Sequence, residues 1–307
     1  MHRNPSRRRF VAAAGLAPLL LNHARWARAQ SRTQNTRPIP ASGEALAIIG
    51  MGTSETFDVA LHDAALPGLA DVLRQFFVDG GQLIDSSPMY GNAETVVGAL
   101  LPKVDAKTRP FIATKVWTDG REAGVEQMRT SFARLGVERL DLMQIHNLRD
   151  WRTHLPTLRE WKREGRIRYL GITTSHGRDH DALAEIMRSE PLDFVQFSYS
   201  IADRRAEAEL LPIAADKGIA TLVNRPFERG DLFRRTRGLA LPDWAADIQC
   251  ASWGQLFLKY VVGHPAVTCA IPATSKLTHM VDNMGAGFGP LPDAELRTRM
   301  EAWFAAL

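Results

Sequence analysis

The segment Leu69-Ala-Asp-Val-Leu-Arg-Gln-Phe-Phe-Val78 runs into Asp79-Gly80-Gly81 and then into Gln82-Leu-Ile-Asp85. Apolar side chains at 69, 72, 73, 76 and 77 recur with the 3.6-residue period of a helix. The two glycines supply a helix stop. The short apolar run that follows reads as a buried strand ending in an acid. The same alternation of helical and short apolar segments runs on along the chain, without any repeat of sequence. Strands are predicted at Ala47–Gly50, Gln82–Asp85, Phe111–Lys115, Leu140–Ile145, Tyr169–Thr173, Phe194–Phe197, Ala220–Asn224 and Ala266–Ile271. Helical patterns lie between them at Leu69–Val78, Glu94–Leu101, Val125–Leu135, Leu155–Lys162, Asp181–Met187 and Glu207–Ala215, with a longer one at Trp253–Val262. Glu164-Gly165 and Lys217-Gly218 punctuate the approach to strands five and seven. Eight strands, each followed by a helix-length segment, predict an α/β protein built as a single closed (β/α)8 TIM barrel.

Composition narrows the functional classes. The chain has 307 residues, 45% hydrophobic and 23% charged, which is enough apolar side chain for one large core. Two cysteines, Cys250 and Cys269, exclude a disulfide framework and a cysteine zinc site, and both are expected as free thiols. The net charge of +4 is concentrated at the start. Residues 1–29 hold Arg3, Arg7, Arg8, Arg9, Arg25 and Arg28 and no acid. Setting these six aside leaves 32 basic and 34 acidic side chains, a net of −2. The body of the protein therefore has no electrostatic case for nucleic acid.

The basic stretch ending at Arg9 precedes an apolar run, Phe10–Leu21, and the small-x-small pattern Ala27-Arg28-Ala29. That order is an export signal, and twelve apolar residues broken by Gly15 and Pro18 fall short of the ~20 needed for a membrane span. Ser6-Arg7-Arg8-Arg9-Phe10-Val11 resembles the bacterial twin-arginine motif. Residues 1–29 are thus expected to be a twin-arginine signal peptide, read by the twin-arginine export machinery and sending a monomeric protein to the periplasm. Residues 30–40, polar with Pro38 and Pro40, read as an extended linker. The barrel domain is assigned to 41–307.

Nucleotide and nucleophile motifs are weak or absent. Gly50-Met51-Gly52 begins a dinucleotide fingerprint, but Glu55 occupies the third glycine position. There is no phosphate-binding Gly-x-x-x-x-Gly-Lys-Ser/Thr loop and no Gly-x-Ser-x-Gly elbow. His176 and His180 lie in a loop with no third ligand in register, and no metal site is assigned. Three consecutive strand ends stand out instead. They are Asp85-Ser86-Ser87-Pro88-Met89-Tyr90-Gly91, Ala113-Thr114-Lys115 and Gln144-Ile145-His146-Asn147. In a barrel of this kind strand C-termini converge at one mouth. An Asp, a Tyr, a Lys and a His would meet there. A lysine beside a tyrosine lowers the phenol's pKa and makes it a usable acid, while a histidine can orient a substrate oxygen. That set suits carbonyl reduction, with the hydride supplied by a cofactor.

These residues resemble the aldo-keto reductase superfamily over nearly all of the chain beyond residue 29. Asp85…Tyr90-Gly91-Asn92-Ala93-Glu94 is similar to the family's Asp-x-x-x-x-Tyr-Gly-x-x-Glu signature. Lys115 and His146 follow at the spacing of its catalytic tetrad. The resemblance implies Tyr90 as general acid, Lys115 and Asp85 as its tuning pair, and His146 as the orienting residue. It also implies cofactor contacts at Gly52, Thr53, Asp85, Thr173, Thr174, Gln196, Asn224, Arg225 and Gly230. For the adenosine 2′-phosphate and adenine it implies Thr274, Ser275, Lys276, His279 and Asn283. NADP(H) is favoured over NAD(H), and the substrate is a small carbonyl compound. The alternative is a non-catalytic NADP(H)-binding sensor or partner subunit of the same fold.

Overall fold

The computed structural model describes residues 33–104 and 109–307. The predicted signal peptide and residues 30–32 lie outside them. The chain enters as an antiparallel hairpin, β1 (Thr36–Pro38) paired with β2 (Ala45–Ala47). Residues 34–40 are therefore not a linker. Gln34 and Ile39 are buried, and Arg37 donates to the carbonyls of Val262 and His264 at 2.8 and 3.0 Å.

Eight parallel strands follow in chain order: β3 (Met51–Gly52), β4 (Leu83–Asp85), β5 (Phe111–Val116), β6 (Leu140–Ile145), β7 (Ile167–Thr173), β8 (Phe194–Ser198), β9 (Ala220–Asn224) and β10 (Cys269–Ala270). Each pairs with the next. Parallel bridges Ile49–Ala270 and Gly52–Ala273 join the last to the first, so the sheet closes as predicted. Two strand assignments need correction. Ala47–Gly50 divides between the hairpin and the closing bridges, and the barrel strand proper is Met51–Gly52. Ala266–Ile271 shrinks to Cys269–Ala270 because Thr268 and Thr221 exchange side-chain bonds of 2.9 and 3.0 Å with each other's backbone.

Strand alternation layers the barrel interior. Phe111, Tyr169 and Phe194 stack near the floor, with ring centroids 5.4 to 5.9 Å apart. Leu83, Ala113, Leu142 and Leu222 form the next tier of the same core cluster. Ile39 and Leu46 of the hairpin segment join that cluster, so the hairpin seals the barrel floor. Two residues beyond Leu83, Ala113 and Leu142 on β4, β5 and β6, and two beyond Phe194 on β8, come Asp85, Lys115, Gln144 and Gln196. Gly171 of β7 faces this tier, where a Cβ would sit 2.9 Å from the Phe194 carbonyl oxygen and 3.2 Å from the Gln144 side chain.

A second core lies between the sheet and the surrounding helices, rich in side chains such as Val72, Phe76, Val97, Leu158, Ile186 and Phe257. The alternating helices occupy the predicted segments with boundaries shifted by at most four residues. Two C-terminal helices, Leu277–Gly285 and Ala294–Ala305, complete the shell. The second starts at Asp293, whose carboxylate accepts the Leu296 N–H at 2.9 Å. Cys250 and Cys269 are free, as expected, and both are buried. Among the described residues no helix is long and apolar enough to cross a membrane.

Candidate active site

The top tier of the barrel is a connected polar network. Lys115, fully buried, donates to Asp85 Oδ2 at 2.6 Å and to the Ser86 carbonyl at 2.8 Å. Asp85 Oδ1 accepts from Gln144 Nε2 and Gln196 Nε2, both at 3.0 Å. A buried carboxylate with one ammonium and two amide donors is neutralised and fully hydrogen-bonded. Thr114, next to Lys115, donates to the buried Glu94 at 2.5 Å and ties β5 to the helix at Ala93–Leu100.

Tyr90 stands over this network. The Lys115 ammonium is 5.0 Å from its ring centre, and the His146 ring meets it edge-on at 5.8 Å. Burial alone would lower the Lys115 pKa, but the Asp85 carboxylate and Tyr90 outweigh it and hold the ammonium charged. Burial raises the Tyr90 hydroxyl, and Lys115 offsets only part of that. The net direction is opposite to the one the sequence predicts. Tyr90 is a phenol at neutral pH, the protonated form a proton donor needs. Burial and the Lys115 charge push His146 down to about 3, so its imidazole is neutral. Ser87 Oγ lies 3.0 Å from His146 Nδ1.

Tyr90 and His146 line a cleft of about 730 Å³ at the C-terminal mouth of the barrel. Most of the residues implied for the cofactor line it too. Gly52 lies at the end of β3. Thr53 is turned inward, donating to the Asp85 carbonyl at 3.0 Å. Thr173 Oγ1 accepts the Asn147 N–H at 3.1 Å. Asn224 donates to the Thr174 carbonyl at 2.9 Å and accepts from Ser198 at 2.6 Å. Arg225 meets the His176 ring, and Gly230 follows Arg229, which pairs with Glu55 across the cleft. Thr274, His279 and Asn283 line the far end, whereas Ser275 and Lys276 are exposed beside it.

Several supporting residues were not assigned from sequence. The sequence marks Gln144 only as a strand end, although its spacing of two from Leu142 puts it on the interior face. Ser86 and Ser87 have no role that the sequence alone sets apart from the rest of the Asp85–Tyr90 loop. Serine and glutamine are common residues, and only the fold gives these copies partners.

Comparison with known proteins fits this geometry. The aldo/keto reductase family profile matches residues 48–303. The chain is 31% identical over 200 residues to the NADH-specific methylglyoxal reductase of Escherichia coli, a match covering 52% of this chain and 59% of that protein. It is 26% identical over 226 residues to methylglyoxal reductase YeaE of the same organism, covering 71% and 78%. The chain thus spans about three fifths of the first of these relatives. Among solved structures, an aldo-keto reductase from Klebsiella pneumoniae in complex with NADPH has a TM-score of 0.72 at 22% identity, covering 90% of this chain and 96% of that one. At that identity the likeness speaks for the fold.

Proposed function

Because this chain belongs to the aldo/keto reductase family of NAD(P)H-dependent oxidoreductases, we propose that it reduces an aldehyde or ketone to the alcohol with Tyr90 as proton donor and NADP(H) as favoured cofactor. The observation that carries the reading is the buried Lys115–Asp85 pair beneath a protonated Tyr90, with a neutral His146 beside it.

The cleft fits a dinucleotide on a feature of its own. Thr174 Oγ1, in a residue only 1% exposed, has no hydrogen-bond partner among the described residues. A buried hydroxyl of this kind calls for a polar ligand. Thr174, Gln196 and Asn224 would hold the carboxamide end, and Arg225 with the backbone at Gly230 the phosphates. Thr274, Ser275, Lys276, His279 and Asn283 would hold the adenosine end. When bound, the reduced nicotinamide supplies a hydride. The chain does the rest. His146 orients the carbonyl oxygen, Tyr90 delivers the proton to it, and Lys115 favours the phenolate left behind. The lysine in turn is held by Asp85.

The test is NADPH consumption against a panel of small carbonyls, headed by methylglyoxal, the compound named for two relatives. At least one should be reduced. Tyr90→Phe should keep the fold and lose roughly 100-fold or more in turnover. Cofactor binding without turnover across the panel would favour the sensor reading. We extend the proposal to location. The leader, read as a twin-arginine signal, would deliver the folded, loaded enzyme to the periplasm.

A further inference from the structure

Ser87 sits where two members of the site meet. Its carbonyl accepts the Tyr90 N–H at 3.0 Å, and its hydroxyl oxygen accepts the Met89 N–H at 3.2 Å. The same oxygen is 3.0 Å from His146 Nδ1. Ser87 is fully buried, and among the described residues its hydroxyl bonds only the Met89 N–H, which it accepts, and His146 Nδ1. Two arrangements are conceivable. If Nδ1 carried a hydrogen, Ser87 Oγ would accept twice and its own proton would be buried without a partner. Such an orphan carries the full desolvation penalty of an unmade hydrogen bond. If Nδ1 is bare, the Ser87 O–H donates to it and every group is satisfied. Because the imidazole is neutral, its single hydrogen then lies on Nε2.

We propose that Ser87 is a positioning residue that locks His146 in the Nε2–H tautomer, so that a hydrogen-bond donor rather than an acceptor is presented to the substrate carbonyl. Nε2 makes no hydrogen bond to the protein among the described residues, and His146 lines the cleft. The wrong tautomer would aim a lone pair at the carbonyl oxygen and repel it. One serine therefore sets the turn that carries the acid and the proton state of the group that aligns its target.

The inference rests on the reductase reading, but its test has a readout independent of turnover. Protein labelled with ¹⁵N in histidine, with His146 assigned by difference against His146→Gln, reports which ring nitrogen is protonated. In the wild-type chain Nδ1 should give the bare, pyridine-type resonance and Nε2 the protonated one. In Ser87→Ala the two should move toward a mixture. For a carbonyl substrate found by the panel, the same variant should lose about tenfold in kcat/KM, while NADPH affinity stays unchanged. A protonated Nδ1 in the wild type overturns the proposal even if Ser87→Ala does not fold. So does an unchanged tautomer in a folded Ser87→Ala. An enzyme inactive on every carbonyl would sink the reductase reading instead, leaving the resonances to decide on Ser87.

Discussion

Burial and the Lys115 ammonium together move the His146 pKa from 6.5 to about 3, with the Tyr90 and Trp117 rings and the Ser87 hydroxyl completing its surroundings. Between those two values the unfolded chain binds a proton that the native chain refuses. Stability must therefore fall as pH drops from 6.5 toward about 3. His264, pushed down to about 4 chiefly by burial, adds to the same slope. Urea melts at stepped pH values should show this fall, and His146→Gln should flatten part of it. Meanwhile kcat/KM should show no acid-side inflection near 6.5; finding one assigned to His146 would mean the imidazole is charged in the native site. Lys276 bears on cofactor choice. Its ammonium is exposed beside the far end of the cleft, and a charge-assisted contact to a 2′-phosphate contributes about 1.5–3 kcal/mol. Lys276→Ala should weaken NADPH binding by roughly tenfold or more with little change for NADH, read by fluorescence titration. Equal loss for both cofactors would relocate the phosphate, with Arg225 the next candidate. At this scale the tetrad was legible because proton chemistry demands rare residue types at fixed strand ends. Its supports were not. Nothing about Gln144 or Ser87 as residue types distinguishes them from a solvated side chain until alternation and turn geometry bring Asp85 and His146 to them.

Elements were legible where one period dominated. Leu69–Val78 and Leu140–Ile145 could be read because a single face, or both faces, had to be apolar. Reading failed where short pieces compete for one stretch of chain. Ala45–Ala47 is wholly apolar, yet it pairs with Thr36–Pro38, a partner whose proline and arginine read as linker. The helix at Ala294–Ala305 mixes charges around its surface and shows no single apolar face, so the sequence reading passed over it. Packing between elements was invisible from sequence, as Gly98 shows. A Cβ there would lie 2.1 Å from the Arg134 carbonyl oxygen, a backbone atom of the neighbouring helix Arg121–Leu135. Gly98→Ala must push the helices at Ala93–Leu100 and Arg121–Leu135 apart, and overpacking of this kind costs about 1–3 kcal/mol. The urea midpoint should drop accordingly, and an unchanged midpoint would mean the two helices are free to slide. Glu94 rides on the first of these helices and bonds Thr114 beside Lys115, so a folded Gly98→Ala should also lose activity.

For the molecule as a whole, the closed barrel and its chemistry-bearing mouth followed from eight alternating units, while the hairpin across the floor did not. The leader lies outside the described residues, and its proposed role predicts a distinct outcome. Replacing Arg7 and Arg8 by lysines should abolish periplasmic appearance and leave cofactor-loaded enzyme in the cytoplasm, followed by fractionation and immunoblotting. Undiminished export would identify an ordinary secretion signal. Barrel closure adds a constraint on timing. Ile49 and Ala270 bridge across about 220 residues of chain, and Gly52 and Ala273 across a similar span. Until the ribosome has released the segment that holds β10, the first strand offers an unpaired edge and the interior tier of Leu83, Ala113 and Leu142 stands open on one side. Long-range closure of this sort is slow beside helix formation. Every nascent copy therefore passes through an interval as an incomplete, adhesive sheet, and the emergence of Cys269–Ala273 decides when that interval ends.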